Sequence, residues 1–265
     1  MRVAAIQMPC GKSLKENLSK AREMAELAFK KKAKLLLFPE YFSYPMFKTL
    51  EEKEEVCIKT KDFLKNLSKE LQMVVAGNCV ENFYNTCFLF SNGRLLGAQK
   101  KVHPLISERK IGIKPYHEFE VFESEFGRIG ILICADVLYP EACRILGLLG
   151  VDVVLNPVAS PFKKNDLTKD ARDCVFVSRA FDNSYFLIKS GGFGSSSLGT
   201  RIVGRSLIAA PWGILAKYEK EFEEEIVMAD LDLELLKILR KENYSLRERN
   251  VKAYKILLRG GYGSI

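Results

Sequence analysis

Short apolar segments of strand length alternate along this chain with segments that have the apolar periodicity of amphipathic helices. Residues 3–8 and 35–38 are apolar runs, and a proline directly after the second cannot continue the hydrogen-bond ladder of a strand. Between the two runs, Ser13 and Glu16 form a capping box ahead of apolar residues spaced three and four apart, which predicts a helix. A second helix is predicted over residues 56–71. This alternation predicts an α/β fold.

The first third of the chain continues with strands alone, and the order of elements then begins again. Residues 73–80, 84–91 and 94–98 are predicted strands, and Asn92-Gly93 between the last two is a strong hairpin signal. The second block is predicted to contain strands over 128–134, 151–155, 185–190, 202–210, 215–218 and 226–231, helices over 140–149 and 167–181, and a turn at Pro211-Trp212-Gly213.

No segment rich in Pro, Gly or Ser separates the two blocks. The 265 residues are more than one small core needs and fewer than two catalytic domains usually take. We therefore predict a single domain over residues 1–242. Its fold class is predicted to be α/β, a four-layer α-β-β-α sandwich of two stacked mixed sheets.

The carboxy-terminal segment, residues 243–265, is charged but keeps the apolar residues Val251, Tyr254, Ile256, Leu257 and Leu258. Exposed apolar residues of this kind usually mark an interface, and two-fold pairing is the commonest closed arrangement. We expect this segment to be an arm that reaches across the interface of a homodimer or a higher homo-oligomer. The alternative is a tail that folds back onto its own subunit.

Composition excludes several classes of partner. The net charge is +8, yet 41 basic residues are interleaved with 33 acidic ones, so no nucleic-acid-binding stripe is predicted. No apolar run approaches the roughly 20 residues that cross a bilayer, and no signal peptide is predicted. Seven cysteines without a Cys-x-x-Cys pair, together with two histidines, predict reduced thiols in a cytoplasm and neither a metal nor another cofactor. The glycine- and serine-rich residues 191–197 lack a complete phosphate-loop pattern and are predicted to form a flexible loop near the pocket.

Two residues stand where sites form in α/β proteins, at the carboxyl ends of predicted buried strands. Glu40 follows four apolar residues and a proline, and burial of its carboxylate raises the pKa toward a value that suits proton transfer. Cys134 follows the strand over 128–133, and its thiol needs a base or a nearby cation to become a nucleophile. Lys101, at the end of the predicted hairpin, is a candidate for that cation. Taken singly, Cys134 is as well explained as a structural residue of the core, Glu40 as a loop carboxylate and Lys101 as a surface lysine.

The context of these residues resembles the nitrilase superfamily of carbon-nitrogen hydrolases. The matching motifs are Phe38-Pro39-Glu40, Lys101-Val102-His103, and Ile133-Cys134-Ala135-Asp136 running to Tyr139-Pro140-Glu141. Further matching blocks cover residues 150–157, 179–185 and 204–213, so the resemblance extends over nearly the whole chain.

The resemblance implies that Glu40 is the general base, Cys134 the nucleophile and Lys101 the stabiliser of the tetrahedral intermediate. Glu108 matches a second family glutamate that orients substrate and the lysine; the alternative is a surface charge beside Arg109 and Lys110. Residues expected to contact substrate are Tyr41, Ala135, Tyr139, Asn156 and Pro157. The backbone N–H of Ala135 is a candidate oxyanion donor beside the lysine. His103 is expected to be structural.

The sequence predicts an amidase-like enzyme that cleaves a small linear amide or carbamoyl compound through a Cys134 thioester and releases ammonia. Nitrilases of the superfamily have Cys-Trp-Glu where this chain has Cys134-Ala135-Asp136, which favours an amidase. Gln99 and Pro104 also depart from the family pattern around Lys101. The alternatives are a nitrilase, transfer of the acyl group to an amine, and a catalytically silent binding protein of the same fold.

Overall fold

The computed structural model describes residues 1–44, 50–169, 171–195 and 199–258, and most of its strands lie in two six-stranded sheets. The strands are β1 (Arg2–Gln7), β2 (Pro9–Cys10), β3 (Leu35–Leu37), β4 (Val74–Glu81), β5 (Tyr84–Ser91), β6 (Arg94–Lys100), β7 (Val121–Ser124), β8 (Gly127–Ile131), β9 (Val153–Val158), β10 (Ser160–Pro161), β11 (Phe186–Gly191), β12 (Phe193–Ser195), β13 (Arg201–Val203), β14 (Leu207–Ala210), β15 (Gly213–Lys217) and β16 (Glu225–Asp230). The helices are α1 (Leu14–Lys30), α2 (Leu50–Leu71), α3 (Ile106–Lys110), α4 (Pro140–Leu148), α5 (Ala171–Asn183), α6 (Leu233–Glu242) and α7 (Tyr244–Arg247), with 3₁₀ turns at Cys134–Leu138 and Val251–Leu258.

The two large sheets share one plan. In the first, the order is β16-β1-β3-β4-β5-β6, with β1, β3 and β4 parallel and the remaining pairs antiparallel. In the second, the order is β7-β8-β9-β11-β14-β15, with β8, β9 and β11 parallel and the remaining pairs antiparallel. The predicted α/β fold with mixed sheets is therefore confirmed. Both sheets have a run of three parallel strands, whose carboxyl ends are free to carry a site.

Local signals in the sequence explain many of the element boundaries. Ser13 and Glu16 form the predicted capping box at the start of α1, and Pro140 occupies the first turn of α4. Asn92 and Gly93 have φ values of 49° and 80°, which suits the tight turn between β5 and β6. The predicted turn at residues 211–213 connects β14 to β15, which pair antiparallel.

A small third sheet, with the order β10-β13-β12-β2, is absent from the prediction of two sheets. The strand predicted over residues 202–210 is two strands, β13 and β14. The strand is interrupted at Gly204-Arg205-Ser206, because Arg205 has a φ of 69°, which lies outside the β region. Residues 193–195 of the predicted flexible loop form strand β12, and residues 196–197 lie outside the described residues.

Three apolar clusters fill the space between these elements. One packs α1 and α2 on a face of the first large sheet, through residues such as Ala21, Leu64 and Val75. A second joins side chains of both large sheets, including Leu37 and Ile131. The third packs α4 and α5 on the second large sheet; its members include Cys143, Leu146, Val154, Phe176, Ala180 and Leu187.

None of the described helices is long and apolar enough to cross a membrane.

The prediction that every cysteine is a free thiol is wrong for one pair. Cys57 of α2 and Cys79 of β4 form a disulfide, whereas Cys10, Cys87, Cys134, Cys143 and Cys174 are free. The two bonded cysteines are 22 residues apart in the chain, and packing of α2 on β4 brings their Cα atoms to 5.3 Å. Sequence spacing alone did not reveal that contact.

Titration of the thiols with Ellman's reagent in denaturant, without reductant, should count five free cysteines rather than seven. Prior reduction should raise the count to seven, because the Cys57–Cys79 bond is then open. We expect the double variant Cys57→Ala and Cys79→Ala to lower the free energy of unfolding by about 3 kcal/mol relative to the oxidised protein. Seven reactive thiols in unreduced protein would contradict the disulfide.

Candidate active site

The site is built at the carboxyl ends of parallel strands from both large sheets. Glu40 lies three residues after the end of β3, and Cys134 lies three residues after the end of β8. Lys101 directly follows β6, and Glu108 belongs to the short helix α3. The structure therefore brings together the four residues that the sequence indicated as catalytic.

Cys134 is the first residue of the 3₁₀ turn that follows β8. Its φ of 50° is uncommon for a residue with a Cβ, and such strain is often found at functional sites. The side-chain amide of Asn156, on the neighbouring strand β9, donates to the carbonyl oxygens of Leu132 and Cys134, at 3.3 Å from the latter. Asn156 thus holds the turn from the adjacent strand.

Lys101 lies between the two carboxylates. Its Nζ is 2.8 Å from Oε1 of Glu40 and 2.7 Å from Oε2 of Glu108. All three side chains are buried, with at most 4% of any of them exposed. Charges this deep in a protein are tolerated only when paired and hydrogen-bonded, and here each one is.

Neutral donors satisfy the remaining carboxylate oxygens. Oε2 of Glu40 accepts from the backbone N–H of Ala159 at 3.0 Å. The amide of Asn85 donates to Oε1 of Glu40 at 2.8 Å and to Oε1 of Glu108 at 3.1 Å. Glu108 also accepts from the hydroxyl of Tyr41 at 2.9 Å and from the N–H of Leu105 at 2.8 Å. Both carboxylates are thereby fixed in one orientation.

The pKa values of the two glutamates shift in opposite directions. Burial raises the pKa of Glu40 above its ordinary value, and the positive charge of Lys101 only partly offsets this. Burial also acts to raise the pKa of Glu108, but the charge and hydrogen bond of Lys101 outweigh it and lower that pKa. Lys101 keeps its proton, because the neighbouring negative groups overcome its desolvation and raise its pKa. Glu40 is thus the carboxylate better suited to accept a proton.

The Cys134 thiol faces Glu40 and is not a thiolate at rest. Burial, and next the negative charge of Glu40, raise the pKa of the thiol well above its usual range. The thiol also interacts with the Glu40 carboxylate and with the N–H of Ala159. Attack by this sulfur therefore requires that its proton pass to a base during the same step, and Glu40 is in position to take it.

Asp136 connects the segment of Lys101 to the turn of Cys134. Its fully buried carboxylate accepts from the N–H of Ile133 at 3.1 Å and from the N–H of His103 at 2.8 Å. The imidazole Nδ1 of His103 lies 2.9 Å from the same carboxylate, and its ring stacks on Tyr139 at 3.7 Å between centroids. The position of Cys134 relative to Lys101 therefore depends on Asp136.

A cavity of about 50 Å³ opens beside this cluster. Its walls include Glu40, Tyr41, Lys101, Glu108, Cys134 and Ala159. Of the residues predicted to contact substrate, only Tyr41 belongs to the described lining. Ala135 and Pro157 are buried nearby, Asn156 holds the Cys134 turn, and Tyr139 stacks on His103. Substrate contact by these four stays a prediction.

Sequence reasoning missed Asn85, Asp136 and Ala159 as parts of the site. Asn85 lies between Tyr84 and Thr86 at the start of β5, and Asp136 stands two residues after the candidate nucleophile, so neither residue type nor spacing marked them as parts of the site. Ala159 contributes only its backbone N–H, which no residue type indicates.

Two other features lie outside this site. A larger cavity, of about 410 Å³, is lined by residues of α2 and of the β4–β5 turn, including Cys57 and Asn82, and contains none of the predicted catalytic residues. Among the described residues, no group of three or more His, Cys, Asp or Glu side chains could hold a metal ion.

Comparisons with known proteins find relatives that match nearly the whole chain. The N-carbamoylputrescine amidase of Solanum tuberosum is 29% identical over 97% of this chain and 94% of its own length. A nitrilase of Pyrococcus abyssi is 29% identical over 89% of this chain and 92% of its own length. The crystal structure of a carbon-nitrogen hydrolase from Helicobacter pylori has a similar fold, with a TM-score of 0.88, 24% identity, and coverage of 98% of this chain and 99% of that one.

The family model for carbon-nitrogen hydrolases matches residues 2–241, which is almost the whole predicted domain. This confirms the resemblance to the nitrilase superfamily and the predicted enzyme class. The chain belongs to the carbon-nitrogen hydrolase family.

Proposed function

We propose that the protein hydrolyses the C–N bond of a small linear amide or carbamoyl compound through a thioester on Cys134, releasing ammonia. The observation that carries this proposal is the convergence of Cys134, Glu40 and Lys101 on one cavity, with every charged group paired. The name of the potato relative, an amidase acting on a carbamoyl compound, supports the same reaction class.

The first half of the reaction forms the thioester. The Cys134 sulfur attacks the amide carbon while its proton passes to Glu40, and a C–S bond forms. The carbonyl oxygen then carries negative charge. Lys101 uses two of its three N–H donors on Glu40 and Glu108, which leaves the third for this oxygen. The N–H of Ala135, at the start of a 3₁₀ turn, has no acceptor within the turn and is the proposed second donor.

The second half releases the products. Glu40 gives its proton to the leaving nitrogen, the C–N bond breaks and ammonia departs. Glu40 then takes a proton from water, whose oxygen attacks the thioester, and the proton returns to sulfur as the C–S bond breaks. The raised pKa of Glu40 suits this repeated acceptance and donation. Glu108, whose pKa is lowered, is proposed to stay charged and to position Lys101.

A nitrilase is the second candidate within the same chemistry. The name of the Pyrococcus relative favours it, whereas Cys134-Ala135-Asp136 favours an amidase. An enzyme that transfers the acyl group to an amine instead of water would form the same thioester intermediate. A silent binding protein is disfavoured, because such a protein has no need to keep three charged side chains buried at an energetic cost.

Ammonia release measured over a panel of amides, carbamoyl compounds and nitriles tests the proposal. We expect turnover of at least one amide or carbamoyl compound, and its loss in Cys134→Ala, which removes the nucleophile. Cys143→Ala is the control, since Cys143 is another free cysteine but is buried in the apolar cluster that packs α4 and α5 on the second large sheet. Residual turnover above about a tenth in Cys134→Ala would refute the nucleophile, since the loss of an essential nucleophile costs several orders of magnitude.

The pH dependence tests the role of Glu40. A base must be deprotonated in the free enzyme, so kcat/KM should fall as the pH drops through the pKa of Glu40. Because burial raises that pKa, the acidic limb should lie above 4.5, the ordinary value of a glutamate. Glu40→Gln should remove turnover while the fold, followed by circular dichroism, stays intact. An acidic limb at or below 4.5 would assign the base to another group.

We also infer that the sheets and helices form the predicted four-layer α-β-β-α sandwich within one domain. The three apolar clusters support this, because one lies between the two large sheets and the other two lie between a sheet and its helices. The family match over residues 2–241 supports a boundary near residue 242.

A cytoplasmic location stays a prediction. The five free cysteines support a reducing compartment, and the disulfide between Cys57 and Cys79 is the feature that does not.

We propose that the protein is a homodimer in which the carboxy-terminal segment contributes to the interface. The first residues of this segment pack on their own subunit, where Asn243 donates to Ser184 at 2.7 Å. Beyond them, the apolar side chains of the 3₁₀ turn Val251–Leu258 are exposed, from 39% at Tyr254 to 90% at Leu258. Exposed apolar residues on α4 and α5, such as Ile145 and Phe181, support the same interface. The glycine-rich end, residues 260–263, lies outside the described residues.

Light scattering of the full chain should give about twice the 30.1 kDa mass of one subunit. Truncation after Asn250 removes the exposed apolar side chains but keeps Asn243 on its own subunit, so it should shift the mass toward that of a monomer. A full-length mass of one subunit at micromolar concentration would refute the dimer. A truncated protein that stays dimeric would place the interface elsewhere.

A further inference from the structure

Asn78 is a buried polar residue that the proposed reaction does not use. It lies near the carboxyl end of β4, and none of its surface is exposed. It shares a face of that strand with Val74 and Ala76, whose side chains pack between the two large sheets, because alternate residues of a strand point to the same side. A side-chain amide in such a place has to be hydrogen-bonded at both its oxygen and its nitrogen.

The hydrogen bonds of Asn78 have only one possible direction. Its Oδ1 accepts from the backbone N–H of Tyr41 at 2.7 Å, and a backbone N–H can only donate. The nitrogen Nδ2 is therefore left for Asn85, and it donates to Oδ1 of that residue at 2.6 Å. Asn85 then presents its own Nδ2 to Glu40 and Glu108. One backbone N–H thus sets the orientation of two side-chain amides in series.

The orientation of the Asn85 amide acts on two charges at once. Its Nδ2 donates to Oε1 of Glu40 and to Oε1 of Glu108. If the amide were turned over, its carbonyl oxygen would face both carboxylate oxygens and repel them. Hydrogen bonds to the ionised form of a carboxylate lower its pKa, and their loss raises it. An inverted Asn85 would therefore favour the protonated form of Glu40, which cannot take a proton from Cys134.

Asn78 also holds the main chain next to Glu40. Tyr41 directly follows Glu40 and has a φ of 57°, a conformation that is uncommon for a residue with a Cβ. The hydrogen bond from its N–H to Asn78 fixes this turn on β4. The hydroxyl of the same tyrosine donates to Glu108 at 2.9 Å. Asn78 is therefore connected to Glu40 by two routes, through the carboxylate and through the main chain.

We infer that Asn78 is a positioning residue of the active site, which turns the Asn85 amide toward Glu40 and Glu108 and holds the main chain directly after Glu40. Its effect is to keep Glu40 ionised, and so able to act as a base, down to a lower pH. The inference rests on the proposed role of Glu40 in amide hydrolysis and adds a residue outside the described lining of the cavity.

The pH profile of kcat/KM separates positioning from a purely structural role. Asn78→Leu has a similar volume but neither accepts nor donates, so it no longer holds Asn85. We expect its acidic limb to lie about one pH unit above that of the wild type, the scale of losing a hydrogen bond to a charged group. A structural defect would lower kcat/KM equally at every pH. An unshifted limb in a folded Asn78→Leu protein would overturn the inference.

Thr86→Val is the matched control. Thr86 is buried on β5 next to Asn85, and its hydroxyl donates to the carbonyl oxygen of Tyr84. The variant loses one buried hydroxyl at nearly equal volume, so we expect an unchanged limb. If Asn78→Leu does not fold, Asn78→Val replaces it, because valine is smaller and suits a strand. An equal shift in the Thr86 variant would attribute the effect to the strand as a whole and refute positioning by Asn78.

A double-variant cycle tests the route through Asn85. Asn85→Ala removes the donor to both glutamates and should itself raise the acidic limb. Because Asn78 acts on the carboxylate through Asn85, we expect the limb of the double variant with Asn78→Leu to stay close to that of Asn85→Ala alone. Shifts that add in full would show that Asn78 does not act through Asn85 and would contradict the inference.

A second readout does not require hydrolysis. When iodoacetamide alkylates Cys134, a C–S bond forms, iodide leaves, and the thiol proton passes to Glu40. The rate at Cys134, followed by peptide mass spectrometry, should fall as the pH drops through the pKa of Glu40, and this limb should lie about one pH unit higher in Asn78→Leu. Cys174, an exposed free cysteine, should react equally in both proteins and is the internal reference.

The two readouts separate the inference from the proposed function. If the alkylation limb shifts but no amide is hydrolysed, the proposed function fails and Asn78 keeps its role at Glu40. If amides are hydrolysed and neither limb shifts, the inference fails and the proposed function stands.

Discussion

The buried ion cluster of Lys101 with Glu40 and Glu108 is the interaction on which the site depends. Removing one partner of such a cluster would leave an uncompensated charge, at a typical cost of 3–5 kcal/mol. The surrounding donors, above all Asn85 and the N–H of Ala159, make the cluster tolerable because they fill the remaining carboxylate oxygens. The same donors fix Glu40 toward Cys134. Stability of the cluster and geometry of the site therefore have one physical origin.

The repeated plan of the two sheets explains how distant parts of the chain meet. Each sheet contains three parallel strands, and Glu40 and Cys134 follow parallel strands of different sheets. The apolar cluster shared by the two sheets fixes their relative position. Asp136 then connects the loop after Lys101 to the Cys134 turn, so that these two segments are held together. A scaffold of this kind holds Glu40, Lys101 and Cys134 in a fixed arrangement, which is what the proposed reaction requires.

Much of this could be predicted from sequence, because strand-length apolar runs, the capping box and Asn92-Gly93 are local signals. Glu40, Lys101 and Cys134 were found from strand ends and motif context, and Glu108 from the family pattern. The third sheet was missed because its strands are two or three residues long, and the 202–210 strand because Arg205 interrupts it. The Cys57–Cys79 bond and the roles of Asn85 and Asp136 depend on contacts between elements, which residue spacing does not encode.

The central claim is that the acyl group passes through Cys134. Acid quenching within one turnover of a short amide such as propionamide, followed by digestion and mass spectrometry, measures this directly. The account predicts a propionyl group on the peptide that contains Cys134, formed before the free acid and lost on hydroxylamine treatment. A propionyl group on another residue, or steady hydrolysis without acylated Cys134 at any time point, would contradict it.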